Sequence, residues 1–273
     1  MVNRASAAPA VHVEKVSKKF DSAEDSSEVE ALSEVSFSIS NGDFLSIIGP
    51  SGCGKSTLVR IIAGLIDDFQ GAVEILGEPL SGPDQRVGMV FQEDSTFPWR
   101  TTIQNVEFGL EMRKVAMDER GRLAANILEL VGLSGFENRY PFELSGGMKQ
   151  RVAIARSLIL EPQILLMDEP FGALDEQTRM ILGEQLLRIQ EKLRQTVIFI
   201  THSIQEAVQL SDRIIVMTAR PGRIKRVIDV QLPRPRNPEV IGSEAYVKVV
   251  ADIWDLLREE SLKGFGGFAH ETK

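Results

Sequence analysis

The stretch FLSIIGPSGCGKST, at residues 44–57, decides the fold of this 273-residue chain. Its first five residues predict a buried strand, and a helical pattern opens after its last glycine. The glycines and the Lys-Ser pair between them have the G-x-x-x-x-G-K-S spacing of a phosphate-binding loop. A glycine-rich turn without a ligand is the alternative, but the Lys-Ser pair would have no packing purpose there. The stretch therefore predicts a P-loop NTPase core.

The residue types of this loop indicate how phosphate is held. Glycines let consecutive backbone N–H groups turn towards phosphate oxygens, and the helix N-terminus adds a favourable dipole. We expect Lys55 to reach the β- and γ-phosphates and the Ser56 hydroxyl to bind Mg²⁺. The candidate nucleotide-binding residues of the loop are Gly49, Ser51, Gly52, Cys53, Gly54, Lys55, Ser56 and Thr57.

Cys53 is the single cysteine, so the chain has no internal disulfide, which fits a reducing compartment. We expect its backbone to contribute to the phosphate site. The helix N-terminus and Lys55 favour a thiolate, which predicts a reactive thiol that MgATP protects. The alternative is a side chain that points into the core and is inert.

Apolar runs elsewhere extend the P-loop core into an α/β fold. Residues 11–16 and the alternating Val35, Phe37 and Ile39 predict half-buried antiparallel strands, with a solvated acidic loop over residues 21–30 between them. Helical patterns separate further short apolar runs. These runs predict the buried strands of a mainly parallel sheet at residues 44–48, 87–91, 164–167, 197–200 and 214–217.

Two segments depart from this alternation of strand and helix. Residues 94–160 hold consecutive helical patterns, including residues 118–131 and a helix from about Ser145, and we interpret them as an inserted helical subdomain. The Pro- and Arg-rich residues 220–238 interrupt regular structure, and an amphipathic helix follows over residues 246–257.

These patterns predict three regions along the chain. We expect a flexible N-terminus over residues 1–10, an ATPase domain over residues 11–240, and a C-terminal helix with a loose tail over residues 241–273. The loose part is predicted at residues 264–273.

Composition excludes several classes of protein. The formal charge of -8 and a sequence pI of about 5.1 argue against a protein that mainly grips nucleic-acid phosphates. No run approaches the roughly 18 apolar residues of a membrane span, and residues 1–10 lack the apolar core of a signal peptide. We therefore expect a cytoplasmic protein that reaches the inner face of the membrane through a partner.

Acidic residues follow the predicted strand at residues 164–167. Asp168 and Glu169 would not end a buried strand without a cation or a reacting water nearby, although a solvated strand end is the alternative. We expect Asp168 to hold Mg²⁺, either directly or through a ligand of the metal, and Glu169 to polarise the attacking water. His202 follows the next apolar run, where it would contact the γ-phosphate or serve a structural role.

The sequence LSGGMKQR, at residues 144–151, separates this chain from other P-loop proteins. Ser145 is placed to cap the next helix, and Gly146 and Gly147 expose backbone N–H groups, which together predict a second anion site. With this loop the chain resembles the nucleotide-binding subunits of ABC transporters over about residues 11–217. In that family the loop meets ATP on the P-loop of the other subunit, so the resemblance implies a head-to-tail dimer that hydrolyses MgATP.

The resemblance also assigns individual roles. Phe20 matches the aromatic residue that stacks on adenine, although a plain core aromatic is the alternative. Gln92 matches the glutamine that contacts Mg²⁺ and water and links to the membrane partner. Asp175 matches the loop that crosses the dimer interface, and His202 matches the switch histidine. The chain departs from the family pattern at Met148, where Gln is usual, and at Ser203, where an acid is common.

A narrower resemblance, to the nitrate, sulfonate and taurine importer ATPases, rests on four further stretches. It implies a separate permease and a periplasmic or extracellular solute-binding protein as partners, and a small anion as cargo. The stretches are FPWR at 97–100, FGALD at 171–175, TARPGRI at 218–224 and LPRPR at 232–236.

Two other classes remain as alternatives. A soluble ABC ATPase acting on DNA or the ribosome would usually carry long coiled coils, zinc modules or a second cassette. A P-loop small-molecule kinase would leave the second anion site and Glu169 unexplained. For the transporter, we expect residues 92–100 to hold the permease-binding surface, with packing of Phe97 and Trp99 inside the helical subdomain as the alternative.

Overall fold

The computed structural model describes residues 8–21, 28–93 and 95–267. The chain divides into two compact units, the first formed by Met1–Asp84 with Ile198–Lys273 and the second by Gln85–Val197. The strands of the described residues are β1 (Val11–Asp21), β2 (Glu28–Ile39), β3 (Phe44–Ile48), β4 (Gln70–Ile75), β5 (Glu78–Pro79), β6 (Val87–Val90), β7 (Ile164–Asp168), β8 (Thr196–Ile200), β9 (Arg213–Met217) and β10 (Ile224–Asp229).

The helices lie between and after these strands. They are α1 (Lys55–Ile62), α2 (Thr102–Met112), α3 (Met117–Leu130), α4 (Gly146–Leu158), α5 (Glu176–Leu193), α6 (Ile204–Leu210), α7 (Pro238–Ile241) and α8 (Glu244–Gly267). Among the helices of the described residues, none combines the length and apolar character needed to cross a membrane.

The first unit contains an antiparallel sheet in the order β2-β1-β4-β5. Strand β1 pairs with β2 through Val11 opposite Ile39 and Val13 opposite Phe37, so the predicted antiparallel strands are confirmed. The predicted acidic loop is wrong at Asp21, which ends β1, and at residues 28–30, which belong to β2, whereas residues 22–27 lie outside the described residues. Backbone pairing with β1 holds these acidic residues in a strand despite their low strand propensity.

A second sheet of this unit carries the P-loop. Its strands β10, β9, β3 and β8 are neighbours in that order, and residues 198–200 of β8 belong to the unit. Strand β3 runs parallel to β9, with Ile47 opposite Ile215, and every residue of β3 is buried. A strand buried on both faces is apolar throughout, which is why the run at residues 44–48 identified it.

Strand β10 shows where the sequence interpretation fails. Residues 220–238 were expected to lack regular structure, but β10 pairs antiparallel with β9, with Val227 opposite Ile215. Half of its residues are exposed, which fits an edge strand whose backbone pairing does not require an apolar sequence.

The C-terminal helix α8 packs on this sheet. Tyr246 and Ile253 are buried in a cluster with α6 residues and with Val216 of β9, so the predicted amphipathic helix is confirmed. The helix continues to Gly267, which corrects the predicted loose tail at residues 264–267. The remaining six residues of that predicted tail, and residues 1–7 of the predicted flexible N-terminus, lie outside the described residues.

The second unit combines a strand pair with helices. Strands β6 and β7 are parallel, with Gly88 opposite Leu165. Helices α2, α3 and α4 share an apolar core that includes Val106, Leu128 and Val152. Consecutive helices are thus found where the helical subdomain was predicted. Together with the antiparallel sheet of the first unit, the parallel strand pairs confirm the α/β fold class.

Candidate nucleotide-binding and hydrolysis site

The P-loop has the backbone geometry that phosphate binding requires. Strand β3 ends at Ile48 and α1 begins at Lys55. Between them, Gly52 and Gly54 have φ angles of +74° and +95°, a region that glycine adopts without strain. A Cβ atom at Gly54 would lie 2.7 Å from the carbonyl oxygen of Ala31. The glycine is therefore required by both its backbone conformation and its close contact with β2.

The start of α1 favours an anion. Its N-cap residue is Gly54, which has no side chain to cap the first N–H groups, and the first turn contains no acidic residue. Such a helix end presents backbone donors and a positive dipole. Both properties fit the phosphates of a nucleotide.

Lys55 lies along the inside of this loop. Its side chain is buried, and its ammonium group donates hydrogen bonds to the carbonyl oxygens of Gly49 and Pro50, each at 3.0 Å. A buried ammonium group at the N-terminus of a helix suits an anionic ligand. Ser56 follows in the first turn of α1, half-buried, and its hydroxyl is an oxygen ligand of the kind that Mg²⁺ prefers. The residues of the loop thus fit MgATP.

Cys53 contradicts one expectation for the P-loop. Its side chain is fully buried, and Sγ would lie 2.9 Å from a Cβ atom at Gly49. Burial raises the pKa of the thiol, and this effect outweighs the opposing charge of Lys55. The reactive thiolate predicted from the helix N-terminus and Lys55 is therefore wrong, because burial removes water from the sulfur and disfavours its charged form.

Phe20 lies near the end of β1 and is 42% exposed. The ammonium group of Lys18 stands 4.9 Å from the centre of its ring and donates a hydrogen bond of 2.9 Å to Asp68. The ring therefore has a cation on one side and remains accessible to a planar ligand. This arrangement argues against the plain core aromatic.

His202 follows β8 and is exposed. The next residue, Ser203, is the N-cap of α6 and accepts a hydrogen bond from the backbone of Glu206. Serine and aspartate are both good N-caps, so the serine in place of an acid keeps the start of α6 intact.

In the second unit, Asp168 and Glu169 lie at the end of β7. The strand ends at Asp168, whose side chain is buried, and Glu169 follows with a φ of +47°. Glu169 therefore adopts a left-handed conformation just beyond the strand. Such conformations in non-glycine residues are uncommon and occur often at functional sites.

Gln92 lies beside Glu169. Its amide donates a hydrogen bond of 3.4 Å to the Glu169 carboxylate. Gln150, buried in α4, donates to the carbonyl oxygen of Phe91 at 3.2 Å and so holds the backbone next to Gln92. The structure thus brings together two predicted site residues, and Gln150 supplies a support that the sequence did not identify.

The signature loop forms the start of α4. Ser145 is the N-cap, and its hydroxyl accepts a hydrogen bond from the backbone of Met148, which confirms the predicted cap. Gly146 and Gly147 are the first two residues of the helix. Met148 packs against the core of the helical subdomain, which accounts for an apolar residue where the family usually has glutamine.

Asp175 has a local role that the sequence interpretation missed. It is the N-cap of α5, and its carboxylate accepts hydrogen bonds from the backbone and the hydroxyl of Thr178 at 2.9 and 2.7 Å. These hydrogen bonds lower the pKa of Asp175.

The segment FPWR is arranged by a buried asparagine that no sequence motif indicates. Asn105 of α2 accepts a hydrogen bond from the backbone of Phe97 and donates to the carbonyl oxygens of Phe97, Arg100 and Thr101. Phe97 packs edge-on against Phe108, whereas Trp99 is 71% exposed. Phe97 therefore fits packing inside the helical subdomain, whereas Trp99 fits an exposed surface.

The family follows from this fold, these loops and a direct comparison. The family model described as ABC transporter matches residues 32–172. The chain belongs to the ABC transporter family and is an ATP-binding and ATP-hydrolysing cassette of that family.

Several relatives give this membership its context. The chain is 48% identical to an uncharacterized ABC transporter ATP-binding protein of Methanocaldococcus jannaschii, over 92% of both chains. It is 47% identical to an aliphatic sulfonates import ATP-binding protein of Bacillus cereus, over 88% of this chain and 92% of the relative. Among solved structures, a dimeric ATP-binding cassette in a post-hydrolysis state with ADP and phosphate superposes with a TM-score of 0.75 and 34% identity, over 81% of this chain and 99% of that one.

Proposed function

We propose that this chain is the ATPase subunit of an ABC importer that takes up an aliphatic sulfonate, nitrate, taurine or a similar small anion. The observation that carries the proposal is the P-loop, in which a buried ammonium group and an uncapped helix start converge on one backbone turn. The importer assignment is supported by the relatives named for sulfonate import and by the resemblance of four stretches of this sequence to that group.

In the proposed cycle, Lys55 and the P-loop backbone hold the phosphates, and Ser56, Asp168 and Gln92 bind Mg²⁺. The metal would neutralise charge on the β- and γ-phosphates. Glu169 takes a proton from the attacking water, and its hydrogen bond from Gln92 holds the carboxylate in place. His202 contacts the γ-phosphate, and Phe20 stacks on adenine.

We further propose that two copies of the chain act together. The dimeric cassette with ADP and phosphate supports this arrangement. Ser145, Gly146 and Gly147 would bind the nucleotide held by the other copy, since a capped helix start with two glycines presents backbone donors at the surface. Asp175 would lie at the interface. ATP binding would close the pair, and hydrolysis would reopen it.

The partners would lie beyond this chain. A membrane permease would bind the surface around residues 92–100 at the inner face of the membrane, and a separate solute-binding protein would deliver the anion. The exposed Trp99, held at the end of a segment ordered by Asn105, supports this location for the permease.

Uptake in the source organism tests the proposal. Deletion of the gene should abolish uptake of one labelled anion among ethanesulfonate, taurine and nitrate, and the intact gene should restore it. A Lys55→Ala gene should not restore uptake. Co-purification of the tagged chain with an integral membrane protein is expected as well. Recovery of the tagged chain with ribosomes or nucleic acid, and unchanged uptake after deletion, would instead favour a soluble ABC ATPase.

A further inference from the structure

The loop between β9 and β10, residues 218–223, is a compact turn that lies against the P-loop. The Thr218 hydroxyl donates to the carbonyl oxygen of Pro221 and accepts from the backbone N–H of Arg223. The loop also bonds to β2, because the backbone N–H of Gly222 donates to Ala31 and the carbonyl oxygen of Gly222 accepts from Ser33, both at 3.0 Å. These bonds fix the turn at both ends.

Two residues of this turn contact the phosphate loop directly. The Nε atom of Arg220 donates a hydrogen bond of 3.2 Å to the carbonyl oxygen of Gly52. Gly222 lies so close to the peptide of Cys53 that a Cβ atom at Gly222 would be 2.0 Å from the Cys53 carbonyl oxygen. The Gly52 and Cys53 peptides of the P-loop therefore rest on the β9–β10 loop.

Helix α8 also holds this turn, near the start of the loop at Ala219. The carboxylate of Glu260 is buried and accepts a hydrogen bond of 3.0 Å from the backbone N–H of Ala219, the residue before Arg220. Lys225 and Lys263 each donate to the other oxygen of this carboxylate at 2.8 Å. A buried carboxylate that accepts from three donors is held firmly, because moving it would leave its negative charge buried without hydrogen-bond partners.

We propose that Arg220 is a positioning residue of the P-loop, and that Glu260 of α8 sets the strength of ATP binding by holding the turn that carries Arg220. The proposal rests on the proposed role of the P-loop. Arg220 restrains the Gly52 carbonyl and so limits the orientations of the Gly52–Cys53 peptide, whose N–H donates to the carbonyl oxygen of Pro50 at 3.4 Å. A hydrogen bond at the carbonyl also polarises the peptide and strengthens the donor at its other end. The C-terminal helix thereby becomes part of the nucleotide site without contacting nucleotide.

The first test measures MgATP affinity, KM and kcat for variants of Arg220 and compares them with the unmodified chain. Arg220→Gln should weaken MgATP binding about tenfold, the effect of losing one hydrogen bond from a charged donor. The KM for ATP should rise by a similar factor while kcat at saturating MgATP changes less, because only the positioning of the loop is lost. Arg220→Lys should recover part of the affinity. Arg226→Gln, on the exposed part of β10, is the matched control and should bind MgATP as the unmodified chain does.

The second test asks whether Glu260 acts through Arg220. Glu260→Gln should weaken MgATP binding about threefold, a loss below that of Arg220→Gln because Arg220 itself is retained. Glu259→Gln is the matched control, since Glu259 also accepts from Lys225 and Lys263 but is 58% exposed. The double variant Arg220→Gln/Glu260→Gln should bind no more weakly than Arg220→Gln alone, because a shared route makes the two losses non-additive.

The outcomes separate this inference from the proposed function. An unmodified chain that does not bind MgATP would contradict the P-loop assignment itself. An unmodified chain that binds MgATP, together with an Arg220→Gln variant as tight as Arg226→Gln, would overturn the positioning role and leave the P-loop assignment intact. Strictly additive losses in the double variant would remove Glu260 from the route. Melting temperatures of the nucleotide-free variants identify any loss that comes from unfolding.

Discussion

The Gln92 amide and the Glu169 carboxylate are joined by a hydrogen bond of 3.4 Å between Nε2 and Oε2. Glu169 is also held in a left-handed backbone conformation, directly after the buried Asp168. A carboxylate with a fixed amide neighbour and a constrained backbone is oriented before substrate arrives, which favours a role as a general base.

Glu169→Gln should preserve ATP affinity and lower turnover about 100-fold or more, because the amide fits the same space but takes no proton. Nucleotide binding and phosphate release are measured on the same preparation. Glu161→Gln is a matched control, because Glu161 also has a φ of +47° but lies three residues after the end of α4 rather than at the end of a strand. A near-normal rate of phosphate release by Glu169→Gln would exclude Glu169 as the base.

A mixture of two inactive variants tests the composite site. Lys55→Ala removes the P-loop ammonium group, and Ser145→Asp keeps the N-cap of α4 while its negative charge repels phosphate. About half of randomly mixed dimers contain both variants, and each has one intact site, so we expect about a quarter of the normal ATPase rate. A mixture as inactive as either parent would count against the head-to-tail dimer.

Trp99→Cys should crosslink to the permease through a short bifunctional reagent, because Trp99 is exposed and its segment is held by Asn105. The buried Cys53 does not compete for the reagent. Met180→Cys, on the exposed side of α5, is the control. Asn105→Ala should weaken the crosslink by loosening the segment. Crosslinks found from Met180→Cys alone would move the permease interface elsewhere.

Cys53 itself should react slowly with maleimide in the folded chain at neutral pH. Burial raises the pKa of its thiol and also blocks the reagent, so labelling should accelerate as the pH rises and become complete only on unfolding in denaturant. Intact mass measured over time gives the rates with and without MgATP. Rapid labelling of the folded chain would show that the side chain does not face the core.

The parts of the site that the sequence predicts are those whose residues lie close together along the chain. The strand, turn and helix around Lys55 lie within 20 residues, and Ser145 caps a helix that begins at the next residue. Burial of Cys53 is not coded within the loop, because a Cβ atom at Gly49 would lie 2.9 Å from Cys53 Sγ and 3.1 Å from Met217 of β9, which is far away in the sequence. The same holds for β10, whose strand character comes from pairing with β9.

The sequence also does not predict the residues that hold the site loops in place through hydrogen bonds. Glu260 is 41 positions from Ala219, yet it accepts a hydrogen bond from the backbone N–H of that residue. In the sequence Glu260 is one of two adjacent glutamates just beyond the amphipathic helix predicted at residues 246–257, and such residues are usually exposed to solvent. Asn105 likewise has no motif around it. Both are recognised only when their hydrogen-bond partners are known.

The burial of Glu260 also predicts how stability depends on pH. Burial opposes the charged form, but hydrogen bonds from Lys225, Lys263 and the backbone of Ala219 outweigh it and lower the pKa of Glu260 from 4.5 to about 2. A carboxyl group with a lowered pKa in the folded state stabilises the fold above its unfolded pKa. That contribution is lost as the pH falls from about 4.5 through about 2.

Glu260→Gln should therefore be less stable than the unmodified chain by at most about 3 kcal/mol at pH 7, and the difference should shrink steadily below about pH 4.5. Urea denaturation followed by circular dichroism at a series of pH values measures it. Glu259→Gln should show a much smaller difference, since exposed ion pairs contribute little. A difference for Glu260→Gln that stayed constant down to about pH 2 would mean that shape rather than charge makes this glutamate matter, because only the charged form responds to protonation.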